Sequence, residues 1–296
     1  METFRFDGRV AIITGAGRGL GRAYAAFLVA RGAKVAVNDV GVGLGGGAGD
    51  DSVAETTARE ISGSGTDILA DSSDVASPLA ASRLVEKTMA RFGRIDIVIN
   101  NAGILRWRNF PDTDLEDLTA HFSVHVAGAF NVTRAAWPHL VDRKYGRVLL
   151  TTSSSMYGLP STMAYGVAKA ATVGLANSLA VAGKPHGIVV NTISPSAATR
   201  MVPVEHFELT DAQIFALAPE RVVPLAGLLV HERHIDSGRI YCGGGGRVAR
   251  VFMAETLGYK NPEMTIENLS QHWDSVNDMT DFFIPTSTED PRLRPT

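Results

Sequence analysis

A tyrosine and a lysine four positions apart, Tyr165 and Lys169, are the clearest candidates for chemistry in the sequence. In a helix this spacing places the phenol and the ammonium on one face, so that the two groups can act together. An unperturbed phenol titrates at about pH 10, so proton transfer by Tyr165 near neutrality needs a positive charge that stabilises the phenolate. Lys169 can supply that charge. The alternative is a packed ring beside a solvated amine.

A cluster of hydroxyl groups at residues 151–155 precedes the tyrosine and ends an apolar segment. Open α/β sheets bind ligands at the carboxyl ends of their strands, so one of these hydroxyls could hold a substrate oxygen. Residues 100–103, Asn-Asn-Ala-Gly, end another apolar segment. The backbone and amide groups of Asn101, Ala102 and Gly103 could line a cofactor pocket, with an ordinary Asn-Gly turn as the alternative.

A glycine-rich turn lies between the predicted first strand and first helix. Glycines there let the backbone approach a pyrophosphate, and the amides at the helix start carry partial positive charge. The spacing is TGxxxGxG rather than the common GxGxxG, and a turn without a ligand is the alternative. The predicted dinucleotide-binding residues of this turn are Thr14, Gly15, Arg18, Gly19, Leu20 and Gly21.

Asp39 ends the predicted second strand, about 20 residues after the glycines, where an acidic residue binds the adenosine ribose and repels a 2′-phosphate. This position predicts NAD rather than NADP. Arg18 is a counter-indication because a guanidinium can pair with that phosphate, but a carboxylate beside a phosphate would be costly. Asp39 could also simply cap the following loop. Asp74 and Val75 follow the presumed third strand, where we expect the adenine ring.

Short β-branched apolar segments alternate with segments of helical periodicity along the chain, which predicts an α/β fold with a doubly wound parallel sheet of the Rossmann type. Predicted strands are residues 9–14, 34–38, 95–100, 147–152, 188–193 and 238–242, and predicted helices lie around 23–29, 84–91, 115–140 and 165–182. We assign residues 1–246 to this domain and 247–296 to an extension packed on the core or on a partner subunit, with helical patches at 252–257 and 266–276. Residues 41–49 lack a Gly-Lys-Ser/Thr ending, which favours a flexible surface loop over a phosphate loop. Residues 196–217 are a candidate lid.

Composition narrows the class of protein. The chain has 296 residues, 45% of them hydrophobic, and a formal net charge of -3, which gives no reason to expect nucleic acid or a membrane surface as partner. A small-molecule substrate is the better expectation. Cys242 is the only cysteine, so an intrachain disulfide and a cysteine zinc cluster are excluded. His121 and His125 lack an HExxH glutamate, so we expect no metal. Without a signal peptide, an apolar span of about 20 residues or a lipidation or peroxisomal address, we expect the cytoplasm.

TGxxxGxG, NNAG, the serine cluster and YxxxK occur here in the order and spacing that resemble the short-chain dehydrogenase/reductase superfamily over roughly residues 6–245. The resemblance implies that Tyr165 is the catalytic acid/base, that Lys169 lowers its pKa and holds the nicotinamide ribose, and that Ser153 binds the substrate oxygen. It also adds Tyr165, Lys169 and Pro195 to the cofactor-binding residues. A hydride would pass directly between the substrate carbon and the nicotinamide.

Two positions depart from the family pattern. Ser153 precedes Tyr165 by 12 residues, one fewer than usual, so Ser154 or Thr152 could serve instead, although alignment of the preceding strand favours Ser153. His125 stands where most members have an asparagine that holds a water of the proton relay. A relay through imidazole and a histidine merely packed in the helix are both open.

Several longer stretches, among them Val-Asn-Asp at 37–39 and the segment 132–139, resemble the (3R)-hydroxyacyl-CoA dehydrogenase units of type 2 peroxisomal multifunctional enzymes, also described as hydroxysteroid dehydrogenases. This resemblance reaches about residue 283. It implies an NAD-dependent oxidoreductase that interconverts a secondary alcohol and a ketone, acting on a 3-hydroxyacyl-CoA or a steroid, in a homo-oligomer of two or four subunits. The alternatives are an NADP-dependent ketoreductase that uses Arg18 and a nucleotide-binding or scaffolding module without catalysis.

Overall fold

Eight short segments, most of them apolar, form one sheet in the computed structural model of the chain, which describes residues 3–62, 67–201 and 210–293. Strands β1 to β8 are Val10–Thr14, Lys34–Asn38, Ile68–Asp71, Ile97–Asn100, Gly146–Thr151, Ile188–Pro195, Arg239–Gly244 and Arg247–Val251. Their order across the sheet is β3-β2-β1-β4-β5-β6-β7-β8, and β1 to β7 pair in parallel. The predicted doubly wound parallel sheet is confirmed.

Helices connect the strands and cover both faces of the sheet. Helices α1 to α8 are Gly19–Ala30, Ser52–Ser62, Pro78–Phe92, Leu115–His121, Ala129–Asp142, Met163–Gly183, Asp211–Ala216 and Val223–Val230. The chain builds the sheet outward in one direction from β1 and in the other from β4, so the winding reverses between these two strands. A crevice opens at such a switch point beyond the carboxyl ends of the strands, and this is where the glycine turn and the NNAG segment meet.

The core has two apolar layers because the central strands are buried on both faces. Ile13, Val37 and Ile99 face the layer that α1 and α8 cover, whereas Ile12 and Val98 face the layer that α3, α5 and α6 cover. All residues of β1, β4 and β5 are buried. Burial on both sides explains why these strands are continuous apolar runs without polar alternation.

The structure differs from the predicted elements in several places, and it also contains β3, α7 and α8, for which no range was predicted. The single helix expected over 115–140 is α4, a π-helical segment Phe122–Gly128 and α5 in succession. Helix α2 was not predicted, since Thr56, Thr57 and their polar neighbours obscure the helical periodicity. The last strand expected at 238–242 is β7, and β8 adds a further strand at the edge of the sheet.

The chain divides into two compact units, Met1–Arg250 and Val251–Thr296. The second unit contains the antiparallel strands β9 (Glu255–Thr256) and β10 (Phe282–Phe283) and the helices α9 (Ile266–Gln271) and α10 (Trp273–Asn277). Across the described ranges, no helix is both long and apolar enough to cross a bilayer.

Candidate active site

Tyr165 and Lys169 lie on the first turns of α6, one helical turn apart. The Lys169 Nζ atom is 5.5 Å from the centroid of the Tyr165 ring and donates a 2.7 Å hydrogen bond to the Thr151 carbonyl at the end of β5. Lys169 is only 3% exposed, and burial lowers the pKa of its amine to about 7. The helix therefore brings a buried, readily deprotonated amine beside the phenol, rather than the solvated lysine of the alternative interpretation.

The surroundings of Tyr165 act on its pKa in opposite directions. Burial raises the pKa of the phenol, whereas a hydrogen bond with the Ser153 side chain lowers it, and the net pKa is above the usual value. The phenol is thus protonated at neutral pH before any ligand adds charge. A nearby cation is needed for it to act as a base, which is the role that the sequence predicts for Lys169.

The structure distinguishes the three candidate hydroxyls of the serine cluster. Thr152 is buried and donates a 2.6 Å hydrogen bond to the Lys169 carbonyl, so its hydroxyl serves the fold. Ser154 is exposed. Ser153 is the one whose hydroxyl interacts with the Tyr165 phenol, and its Oγ accepts a hydrogen bond from the Ser155 amide at 3.2 Å.

His125 lies in the π-helical segment, a form of helix that is often found at functional sites. Its ring centroid is 5.3 Å from that of Tyr165 in an edge-on arrangement and 5.9 Å from that of His121 in a stack. The Nε2 atom is 2.8 Å from the Ile104 carbonyl, closer than the 3.3 Å to the Ile104 amide, which favours a proton on Nε2. Burial and the positive charge of Lys169 hold the pKa of His125 well below its usual value, so the ring is neutral.

A small cavity of about 10 Å³ lies among His125, Lys169 and the ends of β4 and β5. Within the described part of the chain, three buried polar atoms at its walls have no hydrogen-bond partner, namely Asn100 Oδ1, His125 Nδ1 and Thr151 Oγ1. A volume of this size is about that of one water molecule, and these atoms are the partners that a water would need.

A larger cavity of about 610 Å³ begins at the glycine turn and shares the side chains of Val75, Ala102 and Val124 with the small one. Ten of the predicted cofactor residues line it: Gly15, Arg18, Gly19, Leu20, Asp39, Asp74, Val75, Asn101, Ala102 and Gly103. The described walls contain no group of three His, Cys, Asp or Glu side chains that could hold a metal ion, nor does the rest of the described chain.

Five predicted cofactor residues do not line this cavity: Tyr165 and Lys169, described above, and Thr14, Gly21 and Pro195. The Thr14 hydroxyl accepts hydrogen bonds from the Asn101 and Ala102 amides at 3.1 and 3.0 Å, so it fixes the NNAG segment to β1. Gly21 is buried under the turn, and a Cβ there would lie 2.2 Å from the Gly15 carbonyl oxygen. Pro195 ends β6 outside the cavity wall.

Glycine is required where the turn meets its neighbours. Gly15 has a φ of +61°, and a Cβ at this position would lie 2.7 Å from Ala102 Cα. A Cβ on Gly103 would lie 2.5 Å from the His125 ring. The glycines therefore allow the close approach that a dinucleotide site needs and also make room for the imidazole.

The carboxylate of Asp39 accepts hydrogen bonds from two backbone amides. Its Oδ2 atom accepts a 2.9 Å hydrogen bond from the Gly17 amide of the glycine turn, and its Oδ1 atom accepts a 2.8 Å bond from the Gly41 amide of the following loop. The carboxylate is thus a cap for that loop and, at the same time, a fixed acceptor at the cavity wall.

Several residues of the cavity wall were not predicted from the sequence. Residues 42–47 of the glycine-rich loop line it, as do Arg106 and Arg200. The loop was predicted as surface only, and its low sequence complexity gave no sign of its contacts. Of the candidate lid 196–217, residues 199–201 line the cavity, and residues 202–209 lie outside the described residues.

Comparison with known proteins agrees with this geometry. The chain is 39% identical over 291 residues to the peroxisomal multifunctional enzyme type 2 of Mus musculus, an alignment that covers 97% of this chain and 39% of that protein. It is 36% identical to a short-chain type dehydrogenase/reductase of Mycobacterium tuberculosis, over 92% of this chain and 95% of that one. The chain therefore spans well under half of its multifunctional relative.

Solved structures give the same result. The full-length peroxisomal multifunctional enzyme type 2 from Drosophila melanogaster matches with a TM-score of 0.78 and 31% identity, over 94% of this chain and 47% of that one. A short chain dehydrogenase from Mycobacterium avium matches with a TM-score of 0.77 and 34% identity, over 92% and 95%. The resemblances inferred from the motifs are confirmed. Residues 9–205, more than half of the chain, match the short chain dehydrogenase family, and the chain belongs to that family of oxidoreductases.

Proposed function

We propose that this chain is an NAD-dependent dehydrogenase that interconverts a secondary alcohol and a ketone. The observation that carries the proposal is the group formed by Tyr165, the Ser153 hydroxyl and the buried Lys169 amine, next to a cavity of about 610 Å³ that the glycine turn lines. The close approach at Gly15 and the fixed carboxylate of Asp39 fit a dinucleotide in that cavity. Bound NAD would accept or supply the hydride.

The residues divide the remaining work among them. The Ser153 hydroxyl would hold the substrate oxygen, and the Tyr165 phenol would take the proton from the alcohol or return it to the ketone. A protonated Lys169 would stabilise the phenolate. The unpartnered Nδ1 of His125 could accept a hydrogen bond from a water in the small cavity, which supports a relay from Tyr165 and Lys169 through that water.

The Asp39 carboxylate supports a preference for NAD over NADP. Two backbone amides hold its carboxylate at the cavity wall, so it cannot turn away from a 2′-phosphate, and like charges repel. The observation that favours NADP is a pair of arginines, Arg18 and Arg200, at the same wall. Burial and the positive charge of Arg18 lower the pKa of Arg200, as two neighbouring cations would.

Titration of the purified protein with NADH and NADPH, followed by fluorescence, decides between these cofactors. We expect NADH to bind at least about tenfold more tightly, a difference of about 1.4 kcal/mol. The Asp39→Ala variant should lose this preference. Tighter binding of NADPH would shift the assignment to the arginine pair, and binding of neither would favour a module without catalysis.

We further propose a substrate with a large apolar part, either the acyl chain of a (3R)-3-hydroxyacyl-CoA or the rings of a hydroxysteroid. Three large side chains, Trp107, Tyr157 and Leu159, are exposed on the segments that follow β4 and β5. A hydrogen bond from the Arg108 amide to the Ser161 carbonyl at 2.9 Å joins these two segments. Turnover assays with both substrate classes and the preferred cofactor test the choice.

A homo-oligomer is proposed from the second unit. Most of its large apolar side chains are exposed, which is unusual for a surface that faces only water. Those at least 46% exposed are Phe252, Met253, Leu257, Met264, Ile266, Trp273, Met279 and Phe282.

Location in the cytoplasm stays a prediction, and the names of the multifunctional relatives refer to peroxisomes.

A further inference from the structure

The glycine-rich loop, residues 41–49, is pinched at its base. The Asp50 amide donates to the Val40 carbonyl at 3.1 Å, which closes the loop where it leaves the end of β2. Gly41 has a φ of +76°, and a Cβ there would lie 2.1 Å from the Asp50 carbonyl oxygen. A Cβ on Gly49 would lie 2.4 Å from the Val40 oxygen. Glycine is required at both ends, so the base of this roof loop has a defined shape.

The middle of the roof loop forms a wall of the large cavity. Residues 42–47 line it, opposite the glycine turn and the NNAG segment. A hydrogen bond from the Gly46 amide to the Gly43 carbonyl at 3.2 Å turns the chain back at the tip. Six of the nine residues are glycine, so this part of the chain loses much conformational entropy when it is held in one position.

Two bonds hold the tip against the segment that follows β4. The Leu105 amide donates to the Leu44 carbonyl at 2.8 Å, and the Arg106 guanidinium donates through Nε to the Gly45 carbonyl at 3.0 Å. The second bond is charge-assisted and is therefore the stronger type. It is also the one that a side-chain substitution can remove.

The Arg106 side chain is itself fixed by α4. Its Nη1 atom donates to Asp117 Oδ1 at 3.0 Å, and Asp117 is only 1% exposed. The Arg106 amide is 3.3 Å from His121 Nε2, while His121 Nδ1 is bonded to the Asp117 carbonyl at 2.7 Å. The guanidinium therefore bridges the buried carboxylate of Asp117 on α4 and the Gly45 carbonyl of the roof loop.

We propose that Arg106, positioned by Asp117, latches the roof loop over the bound dinucleotide and slows its release. This inference rests on the proposed function, since it requires the cofactor to occupy the large cavity. Without the latch, the glycine-rich tip would spend more time away from the cavity, and the cofactor would leave faster. The entry rate would change little, because the glycine turn and Asp39 stay in place.

Stopped-flow measurement of NADH release, with an excess of NAD as the competitor, tests the latch. For Arg106→Ala we expect the release rate to rise about tenfold, equivalent to about 1.4 kcal/mol, with an association rate within about twofold of the native value. Arg108→Ala is the matched control, because Arg108 pairs with the same Asp117 at 3.1 Å but is bonded to no atom of the roof loop. It should leave the release rate unchanged.

A second variant separates a latch from an arginine that binds the cofactor directly. Asp117→Asn keeps the shape of the side chain but removes the buried charge that fixes the guanidinium, which keeps its 3.4 Å bond to the exposed Glu116. A guanidinium with less of its charge paired would make a stronger direct contact with the phosphates. The latch predicts faster release instead. A third variant, Gly45→Ala, places its Cβ 3.7 Å from Arg106 Cγ, an ordinary contact, and stiffens the tip, so release should be no faster than in the native chain.

The outcomes are distinguishable. If the native chain binds NADH and Arg106→Ala releases it no faster than Arg108→Ala does, the latch is wrong and the proposed function stands. Slower release from Asp117→Asn would likewise overturn the latch in favour of direct binding. If the native chain binds neither NADH nor NADPH, the proposed function fails, and the latch fails with it.

Discussion

The Tyr165 phenol lies in surroundings that disfavour its ionisation, since burial raises its pKa more than the Ser153 hydroxyl lowers it. The proposed role of Tyr165 as a base therefore needs a positive charge nearby, which Lys169 would supply when protonated. Burial has in turn lowered the pKa of that amine to about 7. Burial thus favours the neutral form of both groups. Proton transfer at neutral pH would require the pKa of Tyr165 to fall again, which needs a positive charge beside the phenol.

Replacement of Tyr165 by Phe should reduce turnover by about 10²- to 10⁴-fold, because the variant has no group to transfer the proton. Binding of NADH should change less than about twofold. Steady-state kinetics and fluorescence titration give the two values, with Tyr259→Phe, a tyrosine of the second unit, as the control. An active Tyr165→Phe enzyme would show that another residue transfers the proton.

Lys169 should leave a signature in the pH dependence of stability. Its pKa is about 7 in the folded chain and about 10.4 when unfolded, so between these values the unfolded chain binds more protons. The stability of the native chain then rises with pH, by up to about 1.4 kcal/mol per unit. Lys169→Met lacks this term, so its stability relative to the native chain should fall from pH 7 to pH 9.5. Urea unfolding at several pH values measures it, and a pH-independent difference would contradict the lowered pKa.

At the scale of elements, the π-helical segment Phe122–Gly128 sets the position of His125. Its sequence is as apolar as an ordinary buried helix, so the periodicity predicts one helix over 115–140 and shows no sign of the changed hydrogen bonding. The wall formed by residues 42–47 was missed for a related reason. Its contacts come from backbone carbonyls, which any sequence would supply. By contrast, the proximity of Tyr165 and Lys169 was predictable, because a spacing of four residues places two side chains on one face of a helix.

Gly103 and Gly174 form a matched pair for the packing around that segment. A Cβ on Gly103 would lie 2.5 Å from the His125 ring, so Gly103→Ala should displace the imidazole, reduce turnover and destabilise the fold by about 1–3 kcal/mol. A Cβ on Gly174, inside α6, would have no described atom within 4 Å apart from its own helix backbone and chain neighbours, so Gly174→Ala should stabilise the fold by about 0.5–1 kcal/mol. Thermal unfolding and activity assays compare the two. Equal behaviour would mean that the ring moves aside without cost.

For the whole molecule, the sheet could be predicted because strands buried on both faces must be continuous apolar runs. The second unit, Val251–Thr296, could be predicted only in part, as an extension with two helical patches. Helices α9 and α10 occupy the patch expected at 266–276, whereas the patch expected at 252–257 contains the strand β9, which has two residues and is too short for periodicity to identify. Most of the large apolar side chains described in this unit are exposed, so no buried apolar face among them produces a periodic pattern in its sequence.

The exposed apolar side chains of the second unit predict that the protein self-associates. We expect light scattering after size exclusion to give a mass at least twice the 31.5 kDa of one chain. Trp273→Glu and Met279→Glu, which add charge to exposed apolar positions of the second unit, should shift the protein toward the monomer. Leu79→Glu, an equally exposed position on α3, is the control. A native monomer, or a shift only with Leu79→Glu, would place the interface elsewhere or exclude it.

The two amide bonds of Asp39 also constrain how this protein could evolve. A substitution that invites a 2′-phosphate by removing the carboxylate leaves the Gly17 and Gly41 amides without their acceptor. The glycine turn and the base of the roof loop would loosen together. A descendant that prefers the phosphorylated cofactor must therefore acquire a replacement acceptor, such as Asn or Ser, in the same or an earlier step. Asp39→Asn or Asp39→Ser would supply that acceptor in a single step, whereas Asp39→Ala removes the charge and both hydrogen bonds together.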